Sequence, residues 1–341
     1  MRPRLRVTSL VAVLAVLAAA MLAIAACGDD STSPTTSASP SAKASVKIGI
    51  TQIVSHPALD ACVVGFKKGM AEKGYTEGTN VTYDVQNAQG EMATASSIAQ
   101  KFAGQNLDLI LGIATPTTQA MVKADKETPI VFTAVTDPVG AGLVKNAESP
   151  EANVTGVSDM LPLQPHLDLI KQIVPEVKTI GVLYNAGETN SVFLVEEQKK
   201  LAEAMGIEVI EATASNSSEV QAAANSLKGR VDAISVLTDN TIVSALETVI
   251  KVCQDAEIPL ICGDTDSVER GAVAAYAFDY EDLGLQAGYM AADILAGKAI
   301  GEIPVQYAEN LQLSINPTAA AAMGVTIPDA VKAEADQTFG E

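Results

Sequence analysis

The body of this chain is written twice, and that constrains its fold more than any other feature of the sequence. Val46-Lys47-Ile48-Gly49-Ile50 opens one half, and Lys178-Thr179-Ile180-Gly181-Val182-Leu183 opens the other. Each opening leads into an amphipathic stretch, Ala58 to Lys73 and Ser191 to Met205, and each stretch ends at a glycine before a new apolar run. The matching positions lie 132 (Ile48 to Ile180), 132 (Tyr75 to Ile207), 124 (Asp108 to Asp232) and 130 (Pro129 to Pro259) residues apart. Each unit is a short β-rich run followed by a helical stretch, the pattern of parallel βαβ units. The runs are apolar nearly throughout, as strands covered on both faces must be. Right-handed crossovers then predict an α/β fold of two doubly wound parallel-sheet lobes. Gly74 and Gly206 fall where helix C-caps are expected.

The N-terminus carries an address instead of structure. Met1-Arg2-Pro3-Arg4-Leu5-Arg6 precedes an uncharged run from Val7 to Ala26, the form of a secretion signal. Ile24-Ala25-Ala26-Cys27 resembles the bacterial lipobox, which implies a signal peptide over 1–26 and diacylation of Cys27. An uncleaved anchor is the competing reading, since the run is long enough to span a bilayer. Either way the body is expected outside the cytoplasm. Residues 27–45, rich in Ser, Thr, Pro and Ala, are expected to form a disordered tether.

The 296 residues from Val46 onward suit two domains better than one. There are 22 basic and 41 acidic residues, and the net charge of −19 becomes −22 once Arg2, Arg4 and Arg6 leave with the signal. Such a surface repels phosphates, and with no tryptophan for base stacking, nucleic acid is excluded as a partner. Beyond Cys27 the cysteines are Cys62, Cys253 and Cys262. They read as small buried hydrophobes, with a Cys253–Cys262 disulfide left open. No pair has metal-ligand spacing, and His56 and His166 are the only histidines, so neither a metal nor a cofactor is expected. His166 follows a proline and reads as a surface residue.

Several ordered motifs carry a family resemblance. Ile48-Gly49-Ile50-Thr51-Gln52 with His56-Pro57, and Thr133-Ala134-Val135-Thr136-Asp137-Pro138, are two of them. Others are Gly156-Val157-Ser158-Asp159, Tyr184-Asn185 with Thr189-Asn190-Ser191, Thr238-Asp239-Asn240 and Gly263-Asp264-Thr265. Together with the lipobox they resemble the ABC-transporter substrate-binding lipoproteins of the tryptophan/tyrosine-binding group, over about Val46 to Ile327. The resemblance implies a type I periplasmic-binding-protein-like fold with lobes joined by a three-crossing hinge. The first lobe would be 46–158 plus 281–303, and the second 159–280 plus 304–335. It also implies ABC permease and ATPase subunits as partners, a monomeric binding protein, and a ligand class that includes aromatic amino acids. Thr189 departs from the proline expected in many relatives, which leaves that loop's geometry open.

In open α/β sheets, ligands bind beyond the carboxyl ends of strands, at helix N-termini. The first half offers Gln52, Ser55 and His56, then Thr115-Pro116-Thr117, then Thr136-Asp137. The second offers Asn185 with Thr189-Asn190-Ser191, then Asp239-Asn240, then Asp264. Each is also an ordinary helix cap, and His56 suits the start of a helix as well as a cleft contact. Tyr276, with Phe278 and Tyr280, either packs on an aromatic ligand or fills the hinge. Hydroxyls and free N–H groups at these helix starts suit a carboxylate, and Asp239 or Asp264 suits an ammonium, so a zwitterionic amino acid is the expected ligand. A nucleoside, a sugar or a sensing role remains open in the same fold. No Gly-x-Ser-x-Gly elbow, His-Glu-x-x-His or phosphate-binding loop is present, so no enzyme is expected.

Overall fold

The computed structural model describes residues 45–150 and 153–340; the signal, Cys27 and nearly all of the tether lie outside the described residues. The first half runs β1 (Val46–Gln52), α1 (Pro57–Glu72), β2 (Val81–Asn87), α2 (Met92–Ala103), β3 (Leu109–Ile113), α3 (Thr115–Ala124), β4 (Ile130–Val135) and β5 (Val154–Ser158). The second begins with α4 (Leu163–Ile173) and continues β6 (Thr179–Tyr184), α5 (Thr189–Ala204), β7 (Glu208–Thr213) and α6 (Val220–Ser226). It ends with β8 (Ala233–Val236), α7 (Asn240–Ser244), α8 (Leu246–Ala256), β9 (Leu260–Cys262), α9 (Asp266–Arg270) and β10 (Ala274–Phe278). Five strands of each half form a parallel sheet with the same order, β2-β1-β3-β4-β5 and β7-β6-β8-β9-β10. The duplication therefore holds at the level of hydrogen-bonded topology.

Each sheet has its own hydrophobic core. Ile48, Ile50, Phe66, Phe102 and Phe132 are fully buried in the first, and Ile180, Val182, Leu194, Ile234 and Leu260 in the second. Full burial of one such side chain contributes about 1.5–3 kcal/mol. The repeat also recurs in packing. A Cβ on Gly49 would meet Leu107 and Phe102 at 2.8 Å, and one on Gly181 would meet Leu227 at 2.8 Å. Both glycines thus admit the end of the second helix onto the central strand. Gly74 (φ +87°) and Gly206 (φ +75°) close α1 and α5 in the left-handed conformation that glycine adopts without strain.

The chain passes between the sheets three times. It leaves the first after Ser158, and returns after Phe278 as α10 (Tyr280–Leu295), which packs along α1 in the first core. Next, β11 (Gln306–Tyr307) pairs in parallel with β5. The last crossing reaches β12 (Leu311–Ile315), antiparallel to β10, then α11 (Pro317–Ala322), α12 (Asp329–Glu334) and β13 (Gln337–Thr338), which pairs with β12. The expected handover to the second lobe at residue 304 is thus corrected to follow Tyr307. Val305 is buried in the first core and donates its N–H to Ala147 O at 2.7 Å, which holds the segment there. The second lobe also runs past 335, since Gln337 and Thr338 extend its sheet.

His166 is a second correction: it is fully buried in α4, with Nε2 2.8 Å from Ser235 Oγ. Burial lowers its pKa to about 4 and keeps it neutral. Cys62, Cys253 and Cys262 are free, buried thiols, which leaves no Cys253–Cys262 bridge. Among the described residues no helix is long and apolar enough to cross a membrane.

Candidate ligand-binding site between the lobes

The carboxyl ends of strands from both sheets converge on one small chamber of about 20 Å³. The first lobe contributes His56, Ala58 and Leu59 from the start of α1, Ala134 and Thr136 from the end of β4, Asp159 after β5, and Tyr280 at the start of α10. The second contributes Asn190 on α5, Thr238, Asp239, Asn240 and Val243 around α7, and Asp264 after β9. Two further spaces adjoin it through shared residues. A slot of about 90 Å³ is lined by Thr115, Asp137, Gly140 and Ala141 from one lobe and Thr189, Asn190 and Phe193 from the other. A wider mouth of about 520 Å³ runs from Ile53, residues 89–93 and Pro116 to Asn185–Glu188, Thr213–Ser217 and Asn240.

Backbone strain gathers at this seam. Ala134 (φ 55°) and Ala114 (φ 75°) are left-handed without being glycine, one in the chamber wall and the other directly before the slot residue Thr115. A bulge in the β4–β5 pairing between Phe132 and Val135 accompanies the first. Such conformations cost about 1–3 kcal/mol each and persist where surrounding structure enforces them, commonly at ligand sites.

The chamber is acidic, and its hydrogen bonds are incomplete. Asp159 is 2 % exposed and accepts from Thr136 Oγ1 at 3.2 Å and Tyr280 OH at 2.9 Å. Asp239 accepts from Asn185 N at 2.6 Å, Ser191 Oγ at 2.6 Å and Ile242 N at 2.8 Å. Asp264 accepts from Ser267 N at 2.8 Å and Ser267 Oγ at 2.6 Å. Burial pushes Asp159 up to about 6; burial and then the Glu188 carboxylate push Asp239 up to about 7. Glu188, buried at the start of α5, holds the N-terminus of α7 through Asn240 and Thr241. His56 is only 8 % exposed; no hydrogen bond of good geometry reaches either ring nitrogen, although the Asn240 side chain lies near enough to act against the effect of burial on its pKa. Burial, then the Arg270 charge, lower its pKa to about 4, so the ring is neutral and can donate at one nitrogen and accept at the other. Asn190 Oδ1, Thr238 Oγ1, Thr115 Oγ1 and Thr51 Oγ1 are also buried without partners. Each such group costs about 1–3 kcal/mol until something bonds it.

The described residues include no cluster of three or more His, Cys, Asp or Glu placed to hold a metal ion. Residues 47–339 match the family described as ABC transporter substrate binding protein. This chain belongs to that family.

ABC transporter substrate-binding proteins are extracytoplasmic and bind substrates without converting them. Three relatives bear on the site. A tyrosine-binding protein of Clostridioides difficile is 44% identical over 301 residues, 88% of this chain and 87% of that one. An ABC domain from Streptococcus pneumonia solved in complex with L-Trp is 38% identical, with a TM-score of 0.84 over 87% of this chain and 100% of that one. The ligand-free, open structure of a substrate-binding protein with adhesive properties from Clostridium difficile is 40% identical, with a TM-score of 0.66 over the same shares, 87% and 100%.

For this substrate-binding protein, the residues expected from sequence separate by where they point. His56, Thr136, Asn190, Asp239, Asn240 and Asp264 line the chamber. Thr115, Asp137 and Thr189 line the slot, and Pro116 and Asn185 the mouth. Ser191 does not line the chamber and reaches it through Asp239, to which its Oγ donates, and Asn190, from which it accepts at 3.3 Å. The others are spent elsewhere. Gln52 Nε2 donates to Val54 O at 2.8 Å and Asp60 Oδ1 at 2.6 Å, exposed Ser55 donates to Asp60, and Thr117 Oγ1 donates to Ile113 O at 2.5 Å. Tyr276 sits in the middle of β10 beside Leu313 and packs on the second core; Tyr280, four residues on, is the aromatic that reaches the chamber. Tyr280 was expected with Tyr276 and Phe278 either at the ligand or in the hinge, and Thr238 opens a strand-end segment already singled out; Asp159 and Phe193 were not expected at the site. Asp159 ends a motif noted for its resemblance alone, and Phe193 lines the seam from the fifth position of α5, beyond the helix-start rule.

Proposed function

We propose that this protein captures an aromatic amino acid in the chamber and slot, closes its lobes on it, and delivers it to the permease and ATPase of an ABC importer while lipid-anchored through Cys27. The carrying observation is the chamber: buried carboxylates and unpartnered polar atoms from both lobes face one another across the seam. A ligand with a cationic end and several hydrogen-bonding groups satisfies them, whereas an apolar one leaves them costly. The ring fits the slot, between Phe193 and the small residues Gly140 and Ala141, with Thr115, Asp137 and Thr189 at its edge.

The relatives support this reading: one is named for tyrosine and one was solved with L-Trp. Closure is supported by the contrast between two structures of nearly equal identity, 38% and 40%, whose TM-scores are 0.84 for the Trp complex and 0.66 for the open form. The lower similarity to the open form accords with lobes that part and close. The chamber's 20 Å³ is little more than one water occupies, so entry requires the lobes to part.

The test is a melting-shift screen with the twenty amino acids, nucleosides and simple sugars. A ligand that binds only the folded state at 100 times its Kd stabilises by about 2.7 kcal/mol. Tyrosine, tryptophan or phenylalanine should shift the transition most. A shift with nucleosides or sugars alone refutes the amino-acid assignment and keeps the binding role.

A further inference from the structure

Three carboxylates line the chamber, and they differ in how far the protein has already satisfied them. Asp239 holds three protein donors and caps α7, and Asp264 closes the turn into α9 through Ser267 and lies in the field of Arg270. Asp159 has two neutral hydroxyl donors, no backbone N–H bond to another residue and no cation. A carboxylate has roughly four lone-pair positions, which leaves two of them for a ligand. His56, more than nine-tenths buried, lines the same chamber, and no hydrogen bond of good geometry reaches either of its ring nitrogens.

Asp159 also stands where the chain crossings meet. It directly follows Ser158, where the first crossing begins. Its Oδ2 accepts from Tyr280 OH at 2.9 Å, and Tyr280 ends the second crossing. Ala308, which opens the third, donates its N–H to Ser158 O at 3.1 Å. A charge received at Asp159 is therefore received at the convergence of all three connections.

Resting on the amino-acid reading above, we propose that Asp159 takes the ammonium group of the ligand and that its bond to Tyr280 ties this ion pair to lobe closure. The buried carboxyl, pushed up to about 6 by desolvation, has no cation of its own, and the ligand supplies one. Tyr280 is a positioning residue: it fixes the carboxylate and carries the link to α10.

The experiment compares tyrosine with 3-(4-hydroxyphenyl)propanoate, the same molecule without its amine, on wild type, Asp159→Asn and Tyr280→Phe. Calorimetry reads affinity and small-angle scattering reads closure. Wild type should prefer tyrosine by about 30-fold or more, the low end for removing one partner of a buried charge pair. Asp159→Asn should bind both compounds within about threefold of each other. Tyr280→Phe should retain the preference for the amine but compact less on binding. If wild type binds the amine-free compound as tightly as tyrosine, or if Asp159→Asn keeps the preference, the assignment is overturned, the first result needing no variant. Full compaction in Tyr280→Phe overturns the link to closure. Wild type that binds no aromatic amino acid removes the parent reading instead, and this assignment with it.

Discussion

The close packing of two helices at their glycines yields the sharpest stability prediction. Helices α1 and α10 begin at the chamber, with His56 just before one and Tyr280 opening the other, and they cross through Gly65, Gly69, Gly284 and Gly288. A Cβ on Gly69 would lie 2.5 Å from Leu285 O and 3.2 Å from Gly288 Cα; on Gly65 it would meet Glu281 O still more closely. Ordinary contact begins near 3.4 Å, so Gly69→Ala forces two 16-residue helices apart by roughly 1 Å against backbone that cannot rotate away. Overpacking of this kind costs about 1–3 kcal/mol, and backbone neighbours place Gly69→Ala at the upper end and Gly65→Ala beyond it. Gly104→Ala is the control. That residue caps α2 with φ −86°, and its Cβ would sit 3.6 Å from Gln100 O and Lys101 O. There the substitution removes only unfolded-state freedom and should stabilise by about 0.4–1 kcal/mol. Urea unfolding of the three variants, with tyrosine affinity measured alongside, tests the argument. If Gly69→Ala is as stable as Gly104→Ala, the packing argument is refuted; if it is destabilised with ligand affinity unchanged, the helix crossing does not position the site.

Further outcomes can be checked independently. Asp266 is raised to about 7, first by burial and then by Asp264 and Asp279, so its contribution to stability is full below pH 3.8 and lost as pH rises through 7. Asp266→Asn should therefore raise the melting temperature at pH 8 and leave it nearly unchanged at pH 4; equal shifts at both values would falsify the assignment. His166, lowered to about 4, works in the opposite sense: its contribution is present above pH 6.5 and lost as pH falls toward 4, and its ring protons should show no titration by NMR above pH 5. Ser235→Ala strips His166 Nε2 and Gln198 Nε2 of their shared partner and should cost about 1–3 kcal/mol in urea unfolding. Burial raises all three thiols, Cys253 to about 12, so a thiol reagent should find none of them in the native body and all three in denaturant. Cys27→Ala should move the exported protein from the membrane fraction to the soluble one.

The sheets were legible because their signals are local and repeated. Apolar runs at nearly constant offsets predict two halves built alike, and the same strand order appears in both. The misreadings fall where structure rests on a single tertiary contact. Two residues of β11 pairing with β5 carry no periodicity of their own, so the third crossing was placed a few residues early. The third helix of the second half breaks at Ala245 (φ −121°, ψ 27°) into α7 and α8, a turn that no glycine or proline announces. His166 did leave a signal. Leu163, His166, Leu167, Ile170 and Ile173 are spaced as one helix face, so the ring stands on the apolar stripe of α4. The preceding proline outweighed the stripe in that reading, and the stripe was right.

At the site, the strand-end rule found the rim and could not distinguish a cap from a contact. Thr115 and Thr117 make the difference plain. They have the same chemistry, lie two residues apart at one helix start, and are both buried. Thr117 Oγ1 bonds Ile113 O and Ala114 O, and that hydroxyl is finished. Thr115 Oγ1 has no partner and faces the other lobe across the slot. The carboxylates divide the same way. Asp137 turns its Oδ1 onto Val139 N and Gly140 N, whereas Asp159 binds only two hydroxyls and keeps room for a cation. Composition determines which groups are available, and only the folded backbone determines which remain unsatisfied. Unpartnered atoms such as Tyr83 OH and Ser314 Oγ also occur away from the seam, so what marks the seam is the gathering of His56, Thr115, Asn190 and Thr238 there beside three buried carboxylates.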